Sequence, residues 1–276
     1  MKTGPFAAIF VALAAAVLFV PLAIPARHPI ALGLALMGLE LVLDAAFQWR
    51  LARLLGARSF VFQALLAPGT IVHELSHALL VVLTGAKLQK VTLFSPDAQK
   101  GTLGSVAYQV PADRWAVVRG AAIGMAPYLG CGGLFIGILA FLGPASLPFP
   151  ALDPADLDAL GRSALEILTF FGTWITDSPL GPIGGGAVFA LAATIALGAA
   201  PSAQDFAPCF TVRSPVTLLL TIAVVGAALV ATFVFPYTRR AALLVLGATA
   251  MAQVVAIVAV EVFATVRGLF ARRERS

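Results

Sequence analysis

Charge is scarce in this chain: only 11% of its 276 residues are Asp, Glu, Lys or Arg, against about 25% in an ordinary soluble domain. With 60% hydrophobic residues and a mean hydropathy of +0.98, there is too little polar surface to cover a water-soluble globule. Cysteine is nearly absent. Cys131 and Cys209 both lie in apolar surroundings without metal-ligand spacing, which excludes a disulfide framework and leaves both as packing residues. A basic patch is also lacking. The net charge of +5 comes from residues placed between apolar segments, such as Arg50, Arg53 and Arg58, or Arg267, Arg272, Arg273 and Arg275. That is how topology determinants of a membrane protein are spaced, and it argues against a nucleic-acid partner. Histidine is rare too, with three in all.

What the chain does have is long apolar runs, near residues 5–25, 29–48, 60–84, 116–142, 181–200, 215–236 and 240–264. Several approach the roughly 20 residues that a bilayer core of about 30 Å demands. They predict an all-α polytopic membrane protein with about six to seven transmembrane helices and the lipid bilayer as surroundings. The run after Lys2 and Phe6 exceeds a signal-peptide core and has no small-x-small cleavage site, so it reads as a retained first helix. Between 143 and 180 the pattern changes. Pro144, Pro148, Pro150 and Pro154 punctuate a loop, and 155–175 reads as an amphipathic interfacial helix. In residues 86–111, Val91, Leu93, Leu103, Val106, Tyr108 and Val110 alternate loosely with polar residues, with a turn at Ser95-Pro96-Asp97. This predicts a short membrane-adjacent β-hairpin, placed at the interface or along a cavity, because open strand edges are not tolerated in lipid. A single domain over 1–276 follows: two helices in 1–58, a core in 59–210, then two helices and a basic tail in 211–276.

The chemistry is concentrated in one place. His73-Glu74-Leu75-Ser76-His77 sets two histidines at i and i+4, on one face of a helix. Glu74 is turned about 100° from His73, so it flanks the histidines. Two imidazoles at this spacing close on one zinc ion, and zinc lowers the pKa of a bound water from about 15.7 toward 7. Glu74 is then the general base. Chance would give this motif in such a composition on the order of once in a thousand chains, and ionisable groups inside an apolar segment are costly and usually functional. Pro68-Gly69 predicts a break just before the motif, with Thr70 as helix cap and Gly85 as helix end. That leaves about 15 residues, or roughly 22 Å, less than a full span. The basic clusters at Arg50–Arg58 and Lys87–Arg119 both read as cytoplasmic, and a single crossing would put them on opposite sides. Either the 60–84 segment is then broken and partly re-entrant, or one of the two flanking basic clusters is not cytoplasmic.

The stretch Ile71-Val72-His73-Glu74-Leu75-Ser76-His77-Ala78 resembles the active-site helix of site-2-protease-like intramembrane zinc metalloproteases. In that family short membrane-adjacent strands follow the zinc helix, then a Gly/Pro-rich helix, here Gly124-Met125-Ala126-Pro127-Tyr128-Leu129-Gly130, and a later aspartate is the third ligand. The order corresponds over roughly residues 69–210. Better-known members carry that aspartate in an Asp-Gly pair, which this sequence lacks; Pro201-Ser202-Ala203-Gln204-Asp205 stands at the corresponding place. The resemblance implies Asp205 as third ligand beside His73 and His77. Ser202-x-x-Asp205 is also a capping box, which gives Asp205 a role without metal.

Other acids leave alternatives open. Glu40 and Asp44, at i and i+4 in the second apolar run, could contribute a metal ligand or a proton relay, but are rather expected to pair with arginines such as Arg50 or to line a polar cavity. Some membrane zinc proteases use a later Glu, for which Glu166 and Glu261 are available. His28 lies beside Arg27 at a segment boundary. The implied activity is hydrolysis of peptide bonds in membrane-protein substrates, with Zn2+ as cofactor and a transmembrane segment as substrate, held at the hairpin edge. A non-proteolytic zinc-binding or degenerate scaffold protein is the alternative. The excess of Arg over Lys and the abundant Ala point to a prokaryotic inner membrane.

Overall fold

The computed structural model describes residues 4–19, 27–56, 58–95, 103–113, 115–144, 157–201, 205, 227–228 and 231–273. Cys209, Ser202 and most of the apolar run 215–236 lie outside the described residues. The chain is mostly helical. In order come α1 (Gly4–Phe19), α2 (Arg27–Leu55), α3 (Phe60–Leu83), β1 (Lys87–Thr92), β2 (Ser105–Gln109), α4 (Ala116–Gly124), α5 (Ala126–Leu142), α6 (Leu157–Thr176), α7 (Gly181–Leu197) and α8 (Pro236–Arg273).

Four helical stretches are long and apolar enough to cross a membrane: His28–Leu55, Phe60–Leu83, Ala116–Leu142 and Pro236–Val266. α1 and α7, with 16 and 17 residues, fall short of the roughly 20 that a bilayer requires. Among the described residues, four of the expected six to seven spans are therefore present. The stretch 116–142 is two helices meeting at Met125, which caps both.

α3 is central. It packs against α5 on one side and α7 on the other, and α8 backs both of those. α2 lies along α8, and α1 covers α2. The α5–α6–α7–α8 side is filled by aromatics, with Phe135, Phe171, Trp174 and Phe189 buried together. The Trp174 Nε1–H donates to the Leu139 carbonyl at 2.8 Å. The segment expected at 155–175 is α6, which buries Ile167, Phe170, Phe171 and Trp174 on one face and exposes Leu165 and Glu166 on the other.

The break expected at Pro68-Gly69 does not occur. α3 runs unbroken through Pro68 for 24 residues, capped by the Ser59 side chain, which accepts from Phe62 N–H. Proline removes one helical hydrogen bond, but the turns before it are anchored. Phe62 and Leu66 are buried against Phe47, Leu51 and Leu197. Thr70 is no cap; its hydroxyl donates back to the Leu66 carbonyl at 2.9 Å. The helix ends at Leu83, and Gly85 follows with φ of 73°, a left-handed turn that glycine adopts without steric cost. At about 36 Å, α3 puts Arg58 and Lys87 at opposite ends of one helix.

The hairpin is present. β1 and β2 pair antiparallel, Lys87 with Gln109 and Thr92 with Ser105, with an irregularity between Leu88 and Lys90. Val106, Tyr108 and Val110 pack against Val81, Ala86 and Ile123, which holds the hairpin to the ends of α3 and α4.

Candidate metal centre

His73 and His77 project from one face of α3 as their spacing requires. Their rings meet edge to face with centroids 4.7 Å apart, and the two Nε2 atoms are 3.1 Å apart. Asp205 arrives from beyond α7. One carboxylate oxygen lies 3.3 Å from His73 Nε2 and the other 3.2 Å from His77 Nε2. These are the three residues among those described whose ligand atoms cluster closely enough to hold a metal ion. Ligand atoms bound at about 2.0–2.1 Å in a tetrahedron stand roughly 3.3–3.4 Å apart. The Nε2–Nε2 separation is close to that, and each carboxylate oxygen is similarly near one of the two nitrogens.

Backbone groups fix which nitrogen faces the cluster. His73 Nδ1 is 2.8 Å from the Gly198 carbonyl, and His77 Nδ1 is 2.7 Å from the Ile123 carbonyl. A carbonyl only accepts, so each Nδ1 carries the hydrogen and donates it. In the neutral ring Nε2 is then an acceptor. Two acceptor nitrogens therefore converge on an acceptor carboxylate, and the arrangement needs positive charge at its centre, from a proton or a metal ion. Backbone carbonyls behind ligating histidines are a usual way of orienting a metal site.

Glycines make these contacts possible. Gly69 lies one turn before His73, where α3 crosses the end of α7. A β-carbon there would run into the Thr194 carbonyl oxygen and stand 3.1 Å from Gly198 N. That closeness brings the Gly198 carbonyl to His73. Gly130 of α5 faces Ser76 with no room for a β-carbon, and the Ser76 hydroxyl turns back to donate to the Val72 carbonyl at 2.6 Å. Gly69→Ala sets a β-carbon against backbone, so we expect it to cost about 1–3 kcal/mol. It should also weaken metal binding about 10–100-fold by withdrawing the partner of His73 Nδ1. Thermal unfolding in micelles and metal titration measure the two effects separately.

Glu74 is outside the cluster and buried, with 8% of its surface exposed. It lies against the loop end of the hairpin, next to Gly104. A β-carbon on Gly104 would come within 2.7 Å of Glu74 Cγ and 3.0 Å of its Oε1. Glu74 is within electrostatic reach of His73, His77 and Asp205.

The other acids are elsewhere. Glu166 is exposed on α6, and Glu261 forms a two-pronged ion pair with Arg50 at 2.6 and 2.8 Å. The expected pairing of Glu40 and Asp44 with Arg50 is therefore overturned. Glu40 Oε1 is hydrogen-bonded with the Thr249 hydroxyl, and Asp44 accepts from Gln48. His28 is exposed at the start of α2. The residues that sequence reasoning missed are Gly198 and Ile123, which act through backbone carbonyls and carry no side-chain signal. Gly69 was visible only as one half of a Pro-Gly pair.

Comparison with known proteins finds no matching family model, and no curated protein or solved structure matches the chain either.

Proposed function

We propose that this chain is an intramembrane zinc metalloendopeptidase that hydrolyses peptide bonds of membrane-protein substrates, in a prokaryotic inner membrane. The observation that carries the reading is the convergence of His73 Nε2, His77 Nε2 and the Asp205 carboxylate at 3.1–3.3 Å from one another, with Glu74 beside them. Two histidines and a carboxylate are a usual catalytic zinc set, which leaves a fourth position open. His73, His77 and Asp205 would hold the ion, which when bound polarises a carbonyl and lowers the pKa of water at that position.

The chain's own groups account for the rest. The Gly198 and Ile123 carbonyls lock both imidazoles with Nε2 inward. Glu74 takes the proton from the attacking water and returns it to the leaving amine. The loop end of the hairpin beside Glu74 limits access of bulk water from that side. An unwound substrate segment would add to the hairpin edge, where main-chain hydrogen bonds would hold it.

The test joins metal content to cleavage. Purified protein is analysed for zinc, and cleavage of a co-expressed single-span substrate is followed in the same preparation. A zinc:protein ratio near one with cleavage supports the reading, and a ratio near zero in active protein removes it. Zinc held without cleavage of any single-span substrate would favour a non-proteolytic scaffold.

A further inference from the structure

A polar seam lies between α2 and α8. Glu40, Asp44 and Gln48 follow one another at four-residue steps on α2, and Thr249 and Gln253 do so on α8, so each set shares a face. Glu40, Thr249 and Gln253 have no exposed surface. The contacts Glu40–Thr249 and Arg50–Glu261 advance in the same sense along both helices. The two helices therefore run parallel, and Gln253 is level with the α2 surface around Asp44. Both belong to the stretches long and apolar enough to span a membrane.

The Thr249 hydroxyl decides where a proton sits. Its Oγ1 is 2.5 Å from Glu40 Oε1, 2.7 Å from the Val245 carbonyl oxygen and 3.1 Å from that of Leu246. A hydroxyl has one hydrogen to give. If Glu40 were a carboxylate, several acceptors would compete for that hydrogen, and one short contact would set lone pair against lone pair. If Glu40 is a carboxylic acid, the conflict disappears: Glu40 donates to Thr249, and Thr249 donates to Val245 in the usual i−4 manner.

The surroundings agree. Of the titratable groups that face Glu40, Asp44 is on α2 itself and Tyr128 comes from α5, its hydroxyl donating to the Met37 carbonyl at 3.0 Å. Neither supplies positive charge. α1 and α7 contain no titratable side chain. Glu261 of α8 is taken by Arg50, and α3 brings His73 within electrostatic reach of Asp44. An ionised carboxylate buried without a counter-charge costs far more than a neutral acid.

We propose that Glu40 is a proton-binding site in the membrane interior, separate from the metal centre: a carboxylic acid that keeps its hydrogen at neutral pH and donates it to Thr249. Its other oxygen, and both amide atoms of Gln253, have no partner among the described residues. An acid and a carboxamide each donate and accept, so together they can share water, whereas a carboxylate could only accept. The seam stays uncharged at Glu40, and Asp44, one turn nearer the metal centre, is the remaining acid.

Infrared difference spectroscopy of the full-length protein in lipid nanodiscs tests this directly. At pH 7 the wild type should show a protonated-carboxyl stretching band that shifts in D2O and is lost in Glu40→Gln. Thr249→Val should keep the band but move its frequency, because the acid loses its acceptor. Absence of the band in the wild type overturns the proposal, as does a band that survives in Glu40→Gln. A band abolished by sodium at constant pH overturns it too, in favour of a cation site. If Glu40→Gln does not fold, Thr249→Val decides: a moved band supports the assignment and an unmoved band removes it. None of these readouts depends on catalysis.

Discussion

Glu74→Gln is expected to keep its metal and to lose hydrolysis by about 10²–10⁴-fold, the usual contribution of a positioned general base. Glutamine matches glutamate in size and fits the space at the loop end of the hairpin, where Gly104 leaves no slack. It cannot accept a proton. Glu74 is one residue from His73 and so turned about 100° from it on the helix, and it is not among the clustered ligand atoms. Removing its charge should therefore spare the ligands. Zinc content and cleavage of a single-span substrate, measured on the same preparation, separate the two roles. Loss of metal together with activity would make Glu74 a ligand. An unchanged rate would place the base elsewhere.

The parts of this site that were legible in the sequence are those governed by local geometry. His73, Glu74 and His77 needed only the helical period, and the hairpin needed alternation and a turn. Asp205 was reached through its place after an apolar segment and through resemblance, since nothing in its local pattern distinguishes a ligand from a cap. The misreadings all concern tertiary contacts. Pro68-Gly69 has the local signature of a break, yet Phe62 and Leu66 are packed firmly enough to carry the helix through it. Gly69 is there because α7 passes within backbone distance. Arg50 looked like a partner for Glu40 or Asp44, but ten residues of helix put it about 15 Å from the first. Six residues from the second put it on a different face. Glu261, far away in sequence, was the acid within reach. An apolar run also does not reveal how much of it is helix: α7 stops at Leu197, and Gly198 then turns its carbonyl toward His73.

Chelation should lower the thermal midpoint of the wild type and leave that of Asp205→Ala almost unmoved. A metal present at a thousandfold over its Kd stabilises the folded state by about 4 kcal/mol, and that contribution requires all three ligands. The carboxylate of Asp205 touches both Nε2 atoms, so its removal leaves two neutral imidazoles with no charge to hold a cation. Were capping its only role, Asp205→Ala would cost about 1 kcal/mol, and the response to chelator would remain as in the wild type. Asp205→Asn sharpens the distinction, because the amide oxygen still caps while the charge is gone; it is expected to behave like the alanine variant toward chelator. Glu166→Ala and Glu261→Ala should retain the full chelator response. Glu166 is exposed away from the site, and Glu261 serves an exposed, solvent-screened ion pair with Arg50. If either of these variants lost the chelator response while Asp205→Ala kept it, the third ligand would be a glutamate and Asp205 a helix cap.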